Sequence, residues 1–376
     1  MTAQLRRLET PDNLEKFVEP DVYLEWQKAE GVKVITDFTF EDLDAVELGP
    51  WERKGGMGAV INIPQKALPN DAHLVEIRPG GKSEPEHHLY EETMYVVSGR
   101  GATSVWTDEK DKATFEWHEG SLVAIPLNAW YQHFNASGTE PARYLSVTNA
   151  PPAMRLYRNL DFIFDNPFSF TDRFSGGEDY FSAAGKLYER RKWETNFIPN
   201  AQTMMLWDYL TRGAGGVNAS LELAKNVTKS HISEFPVGTY KKAHRHSTGP
   251  HLLIMGGIGF SMLWYRGKEE ERITAQWRKG GMVIIPSEGI FHQHFNTGAE
   301  PARYLALRAG NGTPTNFVGS DVSVNEGGAQ IEYEDEERVI HEIFEAELAR
   351  HGATCYMKAF IPYCTGEVGP TSERDT

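Results

Sequence analysis

The sequence predicts an all-β protein built from two similar β-barrels, with helices at the two ends of the chain. An internal repeat is the first reason: residues 120–145 read GSLVAIPLNAWYQHFNASGTEPARYL, and residues 281–305 read GMVIIPSEGIFHQHFNTGAEPARYL. The second reason is that each copy contains short β-branched or aromatic runs, such as TMYVV and HLLIM, bounded by Gly or Pro. The chain of 376 residues has 35 Gly and 20 Pro, enough for the many turns of such a fold.

The repeat has the length of a whole domain. The segment from His88 to Trp106 aligns without gaps on the segment from His246 to Trp264, an offset of 158 residues (246 − 88). Further along, His133 aligns with His294 at an offset of 161 (294 − 133). This period is too long for a solenoid. We therefore expect one barrel at residues 55–150 and a second at residues 226–312.

The segments outside the two copies have other patterns. Residues 1–54 are expected to form a helical or extended arm, and the aromatic, irregular residues 151–225 a connector. Near the end of the chain, EDEERVIHEIFEAELARHG has apolar residues at helical spacing and a Gly just beyond them. This pattern predicts a C-terminal helix within a helical extension at residues 313–376.

Charge and composition limit the classes of partner. The net charge of −15 argues against nucleic acid, which needs a positive surface. No apolar run approaches the roughly 18 residues of a membrane span, and MTAQLRRLETPDNLEKF has no apolar core for a signal peptide. Cys355 and Cys364 fit no Cys-x-x-Cys pattern and are interpreted as reduced thiols. We expect a cytoplasmic protein that binds a small molecule and, because barrels with exposed edge strands often pair, a homo-oligomer.

Histidines in the second copy predict a metal site. In a strand-like segment His244 and His246 share one face and Arg245 takes the other, which puts the two imidazoles about 6–7 Å apart. His292 and His294 share a face in the same way. Neutral imidazole suits Fe, Zn, Cu or Ni, and three histidines leave coordination positions open. We predict His244, His246 and His292 as ligands. His294 is predicted as a catalytic acid/base, with a fourth ligand or a packed core histidine as the alternatives.

The spacing of these histidines resembles the two conserved motifs of the cupin superfamily. In the second copy the matching residues are Gly238, His244, His246, Gly257, Pro286, His292 and Asn296. In the first copy they are Gly80, His88, Glu92, Gly99, Gly120, Pro126 and Asn135. The resemblance implies a bicupin, with two jelly-roll (double-stranded β-helix) barrels.

The second copy departs from the usual cupin ligand set of two His, one Glu and a late His. Pro250 stands at the Glu position, which leaves an all-histidine triad. This triad and the sequence Phe-His-Gln-His-Phe-Asn resemble those of the bicupin ring-cleaving dioxygenases of the gentisate, salicylate and hydroxynaphthoate group. That resemblance implies Fe(II) as the metal and O₂ as a substrate. In that group the working site usually lies in the first barrel, whereas here it is expected in the second.

The first copy has lost more of the ligand set. Glu86 replaces the first His and Tyr131 the late His, while His88 and Glu92 are retained. Two interpretations stay open. The barrel is a degenerate structural copy, or it has a rebuilt metal site made of Glu86, His88, Glu92 and His133.

Three further residues near the motifs could take part in a site. If the side chain of Arg303 or Arg308 points into the barrel, its guanidinium group would bind a substrate carboxylate through two hydrogen bonds. Arg143 holds the place of Arg303 in the first copy, which favours a structural role for Arg303. His251, one residue past the missing Glu, is expected to face away from the metal.

The histidine triad favours a metal-dependent enzyme. Three neutral ligands leave the ion its full +2 charge, which favours an anionic, chelating substrate. Our first hypothesis is an Fe(II) dioxygenase that cleaves a C–C bond of an aromatic hydroxy-acid or related anion with O₂; Mn, Ni, Cu and Zn are the other candidate metals. A non-oxidative lyase, decarboxylase or isomerase is the second hypothesis. The third is a non-catalytic cupin that binds a small molecule.

Overall fold

The computed structural model describes residues 14–65, 68–177, 179–246, 249–287, 289–308 and 321–367. Within these residues two β-barrels follow one another, and the α-helices lie outside them. The all-β prediction, with two jelly-roll barrels and peripheral helices, is confirmed. The helices are α1 (Val22–Glu30), α2 (Ala150–Tyr157), α3 (Leu160–Phe164) and α4 (Arg338–His351).

Eleven strands precede α2 in the part of the chain that the structure describes. They are β1 (Lys33–Thr36), β2 (Thr39–Phe40), β3 (Gly49–Trp51), β4 (Gly56–Asn62), β5 (Asp71–Ile77), β6 (Glu92–Ser98), β7 (Arg100–Trp106), β8 (Ala113–His118), β9 (Leu122–Ile125), β10 (Trp130–Asn135) and β11 (Ala142–Thr148). The remaining strands are β12 (Gly185–Tyr188), β13 (Lys192–Thr195), β14 (Phe197–Ile198), β15 (Trp207–Asp208), β16 (Val217–Leu223), β17 (Lys229–Phe235), β18 (His251–Gly256), β19 (Ile258–Trp264), β20 (Ile273–Arg278), β21 (Met282–Ile284), β22 (Phe291–Asn296) and β23 (Ala302–Arg308).

Each barrel consists of a large and a small sheet. The first barrel has a large sheet in the order β1-β4-β5-β11-β6-β9-β14, with β3 beside β4, and a small sheet β10-β7-β8. The second has β12-β13-β16-β17-β23-β18-β21-β2, with β15 beside β16, and a small sheet β20-β19-β22. The matching order shows that the sequence repeat is a repeat of whole sheets.

Each barrel also receives one strand from the segment that precedes the other barrel. β2 pairs with β21 of the second barrel, and β14 pairs with β9 of the first. These two strands lie in the segments that the sequence suggested as an arm and a connector. One apolar core continues through both barrels, with Val75 and Leu145 from the first and Met255 and Leu305 from the second. The exchange therefore joins the barrels into one packed unit.

The C-terminal residues cover the second barrel. Phe344 and Leu348 of α4 are buried in a cluster with Phe260 and Phe295 of the small sheet. The helix ends at His351 and is followed by Gly352, whose φ of 63° is the left-handed conformation that Gly adopts at low cost. In the described residues, no helix is both long and apolar enough to cross a membrane.

Candidate metal centre

The three predicted ligands lie together inside the second barrel. His244 and His246 are on the segment between β17 and β18, and His292 is on β22. The backbones of His244 and His292 exchange two hydrogen bonds, of 3.0 and 2.9 Å. The ring of His292 is 4.3 Å from that of His244 and 4.7 Å from that of His246. The candidate ligand nitrogens all lie within 4.8 Å of one another, so the three side chains fit one ion.

The hydrogen bonds of two ligands set their tautomer. Nδ1 of His244 lies 3.1 Å from the carbonyl oxygen of Lys242, and Nδ1 of His292 lies 3.3 Å from that of Ile290. A carbonyl only accepts, so Nδ1 carries the proton and Nε2 presents its lone pair. Burial lowers the pKa of His292 to about 4 and that of His244 well below its usual value. Neutral imidazoles of this kind are suitable ligands for a divalent transition metal.

No carboxylate joins the three histidines among the described residues. The Glu position of the cupin pattern is Pro250, and the next residue, His251, has its Nδ1 3.0 Å from the Asn70 side chain of the first barrel. His251 therefore contacts the other barrel and lies outside the triad, in agreement with its expected orientation.

His294 lies beside the triad and is held by the barrel wall. Its ring is 5.5 Å from that of His292, but it is not one of the grouped ligands. Its Nδ1 is 2.7 Å from Oγ of Ser261, and that oxygen accepts a hydrogen bond of 3.0 Å from Nε1 of Trp277. The side chain is buried, which lowers its pKa well below the usual value.

The first barrel contains the same arrangement around His133. Its Nδ1 is 2.7 Å from Oγ1 of Thr103, which accepts a bond of 2.9 Å from Nε1 of Trp117. A histidine, a hydroxyl and a tryptophan thus recur in both barrels, although among the described residues the histidine triad is found in the second alone. This recurrence supports a packing role for His294 beside the predicted acid/base role.

A cavity with a cationic lining adjoins the triad. Its volume is about 140 Å³, and the described residues that line it include no Asp or Glu. Its positively charged or ligand side chains are Arg191, Arg212, Lys241, His244, His246 and Arg308. The cavity is therefore suited to an anion. The sequence did not decide whether Arg308 points inward, and in the structure it lines this cavity.

Besides Arg191, two cations of the cavity were missed in the sequence. Nζ of Lys241 contacts Oγ of Ser233 and lies 3.2 Å from Oη of Tyr304, and burial, with the nearby Arg212, lowers the pKa of Lys241 to about 7. Arg212 donates to Oε1 of Gln330 at 2.7 Å. Neither residue stands in a recognisable motif. Their positions follow only from the folded barrel.

Arg303 is bound away from the cavity. Its Nη1 is 2.9 Å from Glu234, and its other nitrogens donate to the carbonyl oxygens of Ala201 and Met204. Arg143 makes the corresponding ion pair with Glu76, at 2.6 Å, in the first barrel. The paired contacts support the structural role expected for Arg303.

A lysine lies among the acidic residues of the first barrel. Nζ of Lys54 is 2.5 Å from Oε1 of Glu86 and 3.4 Å from Oη of Tyr131. Nε2 of His88 is 3.0 Å from Oε2 of Glu92 and 3.1 Å from the same tyrosine oxygen. All five side chains are buried. An ammonium group thus supplies positive charge where a rebuilt site would need a metal ion, which supports the interpretation of a degenerate barrel.

Comparison with known proteins agrees with this fold. Residues 73–148 match the family model described as "Cupin domain". The matched residues run from β5 to β11 of the first barrel. The second barrel repeats the sheet arrangement of the first, so the described residues have a two-barrel architecture. A search of curated proteins gave no match.

Several solved structures are similar to the chain over most of its length. The oxalate decarboxylase of Lactobacillus farciminis is 13% identical, with 82% of this chain and 93% of that chain covered and a TM-score of 0.49. A mutant of the Bacillus subtilis oxalate decarboxylase is 14% identical, with 80% and 87% covered and a TM-score of 0.48. The vicilin of hazelnut, Corylus avellana, is 12% identical, with 82% and 97% covered and a TM-score of 0.49. At such identities the likeness concerns the fold alone.

Proposed function

We propose that the second barrel is the site of a metal-dependent enzyme whose substrate is a small anion. The observation that carries this proposal is the position of the histidine triad beside a cavity that is lined by cations and, in its described part, by no acidic residue. A bound divalent ion would act as a Lewis acid there, and iron would in addition allow O₂ to be used.

The protein's own residues have separate tasks in this proposal. His244, His246 and His292 hold the ion, and their neutral charge leaves it electrophilic. Arg212 and Arg308 bind the carboxylate or enolate oxygens of the substrate, because guanidinium groups donate paired hydrogen bonds to such oxygens. Lys241, whose pKa is lowered to about 7, adds an amine that can gain or lose a proton near neutral pH.

The cavity volume limits the size of the substrate. At about 140 Å³ it is well below the roughly 300–1,000 Å³ of sites for drug-sized ligands. A hydroxy-carboxylate or enolised diketone with few heavy atoms matches this volume and also chelates a metal through two oxygens.

For the reaction we propose oxygenation, with cleavage of a C–C bond by Fe(II) and O₂. It is supported by the all-imidazole ligand set and by its likeness to the gentisate, salicylate and hydroxynaphthoate group. A non-oxidative decarboxylase or lyase is the second candidate. The position of Lys241 favours this second reaction, because its ammonium group on the cavity wall can donate a proton to the carbanion that decarboxylation leaves.

One experiment separates the two reactions. Chain purified without oxygen is loaded with Fe(II), Mn(II), Ni(II), Cu(II) or Zn(II) and given a panel of hydroxy-acids, diketones and dicarboxylates. O₂ uptake and product are measured with and without O₂. We expect turnover only with Fe(II) and O₂. Equal turnover under strict anaerobiosis would exclude the oxygenase and leave the decarboxylase or lyase.

A further inference from the structure

A second group of metal-ligand side chains lies in the C-terminal extension, outside both barrels. It contains His341 and Glu345 of α4 together with Cys355 and Cys364 from the segment that follows. One ligand atom from each residue lies within 4.8 Å of the others. We propose that these four side chains form a closed site for a structural Zn²⁺ ion, independent of the candidate metal centre in the second barrel.

The helix and the following segment each supply two of the donors. His341 and Glu345 are four residues apart on one face of α4, and Nε2 of the histidine is 3.2 Å from Oε1 of the glutamate. Sγ of Cys364 lies 3.7 Å from the same carboxylate oxygen. The side chain of His341 is only 1% exposed and that of Glu345 is 34% exposed, so an ion can enter from the side of the glutamate.

The two cysteines are free thiols held close together. Their Sγ atoms are 3.4 Å apart, well beyond the roughly 2.05 Å of a disulfide bond. Two thiolates at about 2.3 Å from a tetrahedral zinc ion lie roughly 3.8 Å apart. The observed separation is near that value, so the pair needs only a small adjustment to hold an ion.

One backbone N–H donates to each of the two sulfur atoms. The N–H of Gly366 donates to Sγ of Cys364 at 3.4 Å, and the N–H of Met357 donates to Cys355. Hydrogen bonds to the charged form of a group favour that form. Burial nevertheless raises the pKa of the Cys355 thiol to about 12, so the positive charge of the ion itself is needed to displace the proton from that ligand.

The orientation of His341 is set from its other nitrogen. Nδ1 lies 3.2 Å from Oη of Tyr240, whose O–H donates to Oε1 of Glu336 at 2.6 Å. With its proton used in this way, Oη accepts from Nδ1–H, and Nε2 is left with a lone pair. That lone pair faces the carboxylate of Glu345, so either a proton on Nε2 or a cation bound between the two groups is needed to satisfy both acceptors. Metal-bound histidines in proteins are commonly oriented by such a partner on the second nitrogen.

The chemistry of the four donors selects the ion. Two thiolates and an imidazole are the ligands that zinc prefers in structural sites, and a carboxylate completes four-coordination. Such an ion would tie residues 355–364 to α4, which packs on the second barrel.

The test uses the full chain, produced with zinc and dialysed against metal-free buffer. A mercurial thiol reagent should release one equivalent of Zn²⁺ per chain, detected with a chromogenic chelator. A separate sample that has not met the mercurial, denatured without reductant, should titrate with two thiols in the presence of EDTA. Cobalt-substituted protein should show a thiolate-to-metal charge-transfer band. These three measurements on the wild type do not depend on a variant's ability to fold.

Variants locate the ion. Cys355→Ser, Cys364→Ser and His341→Ala should each lose the thiol-released zinc and the cobalt band. His351→Ala, at the exposed end of the same helix, and His244→Ala, in the second barrel, should retain both. No thiol-dependent zinc and no cobalt band in the wild type would overturn the proposal. So would the absence of titratable thiols in the unreduced protein, since that would indicate a disulfide instead.

Discussion

Lys54 and Arg212 occupy equivalent positions in the two barrels. Each is the last residue of a short 3-10 turn, each is followed by a Gly, and the offset of 158 residues (212 − 54) is that of the sequence repeat. Lys54 inserts its ammonium group beside Glu86, whereas Arg212 lines the cavity next to His244. The same place in the fold thus holds a cation that neutralises carboxylates in one barrel and a cation that faces the histidine triad in the other.

This relationship predicts the effect of removing Lys54. Lys54→Met should lower the free energy of unfolding by about 3–5 kcal/mol, because it leaves the buried carboxylate of Glu86 without its partner. Lys54→Met/Glu86→Gln should recover part of the loss. Lys33→Met, which breaks a more exposed pair with Glu47, should cost under about 1 kcal/mol. Chemical denaturation measures all three, and equal effects of Lys54→Met and Lys33→Met would contradict the role of Lys54.

Glu92 gives a prediction for acid stability. Burial alone would raise its pKa, but Lys54 and the contact with His88 hold it well below the usual value. A carboxyl group whose pKa is lower in the folded state stabilises the fold at pH above its unfolded pKa, and this contribution is lost as the pH falls through the acidic range. Glu92→Gln should therefore flatten the decline in stability between neutral and acidic pH. Denaturation curves at several pH values test this, and an unchanged slope would contradict it.

The two arginines of β23 should behave differently in kinetics. Arg308→Gln should raise KM for the anionic substrate by roughly 10–100-fold, since a charge-assisted contact contributes about 1.5–3 kcal/mol. Arg303→Gln should lower stability and leave KM unchanged, because its partners lie outside the cavity. Steady-state kinetics and thermal unfolding of both variants distinguish these roles. A KM effect confined to Arg303→Gln would refute the assignment.

His294 and His133 provide a matched pair. Both replacements by Ala remove a buried ring that contacts a hydroxyl and should cost similar stability. His294→Ala should in addition retain the metal and slow turnover by about 10²–10⁴-fold if the predicted acid/base role is correct. Loss of stability alone in both variants would favour the packing role. Loss of metal in His294→Ala would make it a fourth ligand.

The sequence predicted the fold and the triad because both leave local patterns. The two copies align over long segments, and His244, His246 and His292 stand at strand spacing within them. The exchanged strands β2 and β14 have two residues each, too few to show any periodicity. Lys54 and Arg212 were missed because a single cation in a turn resembles a surface residue. Comparing the copies upstream of their obvious motifs would have paired them.

The C-terminal cluster was missed for a related reason. Its donors are spread over residues 341–364 with no familiar zinc spacing, and each alone fits a core or surface role. Only the packing of the following segment against α4 brings the thiols to His341 and Glu345.

The metal content of the second barrel tests the central claim most directly. Wild type, His292→Ala and the exposed control His118→Ala are purified without oxygen, loaded with Fe(II) and analysed for metal after gel filtration. The account predicts that His292→Ala, still folded by circular dichroism, holds one equivalent of iron per chain fewer than the other two proteins. Equal iron content in all three would contradict it.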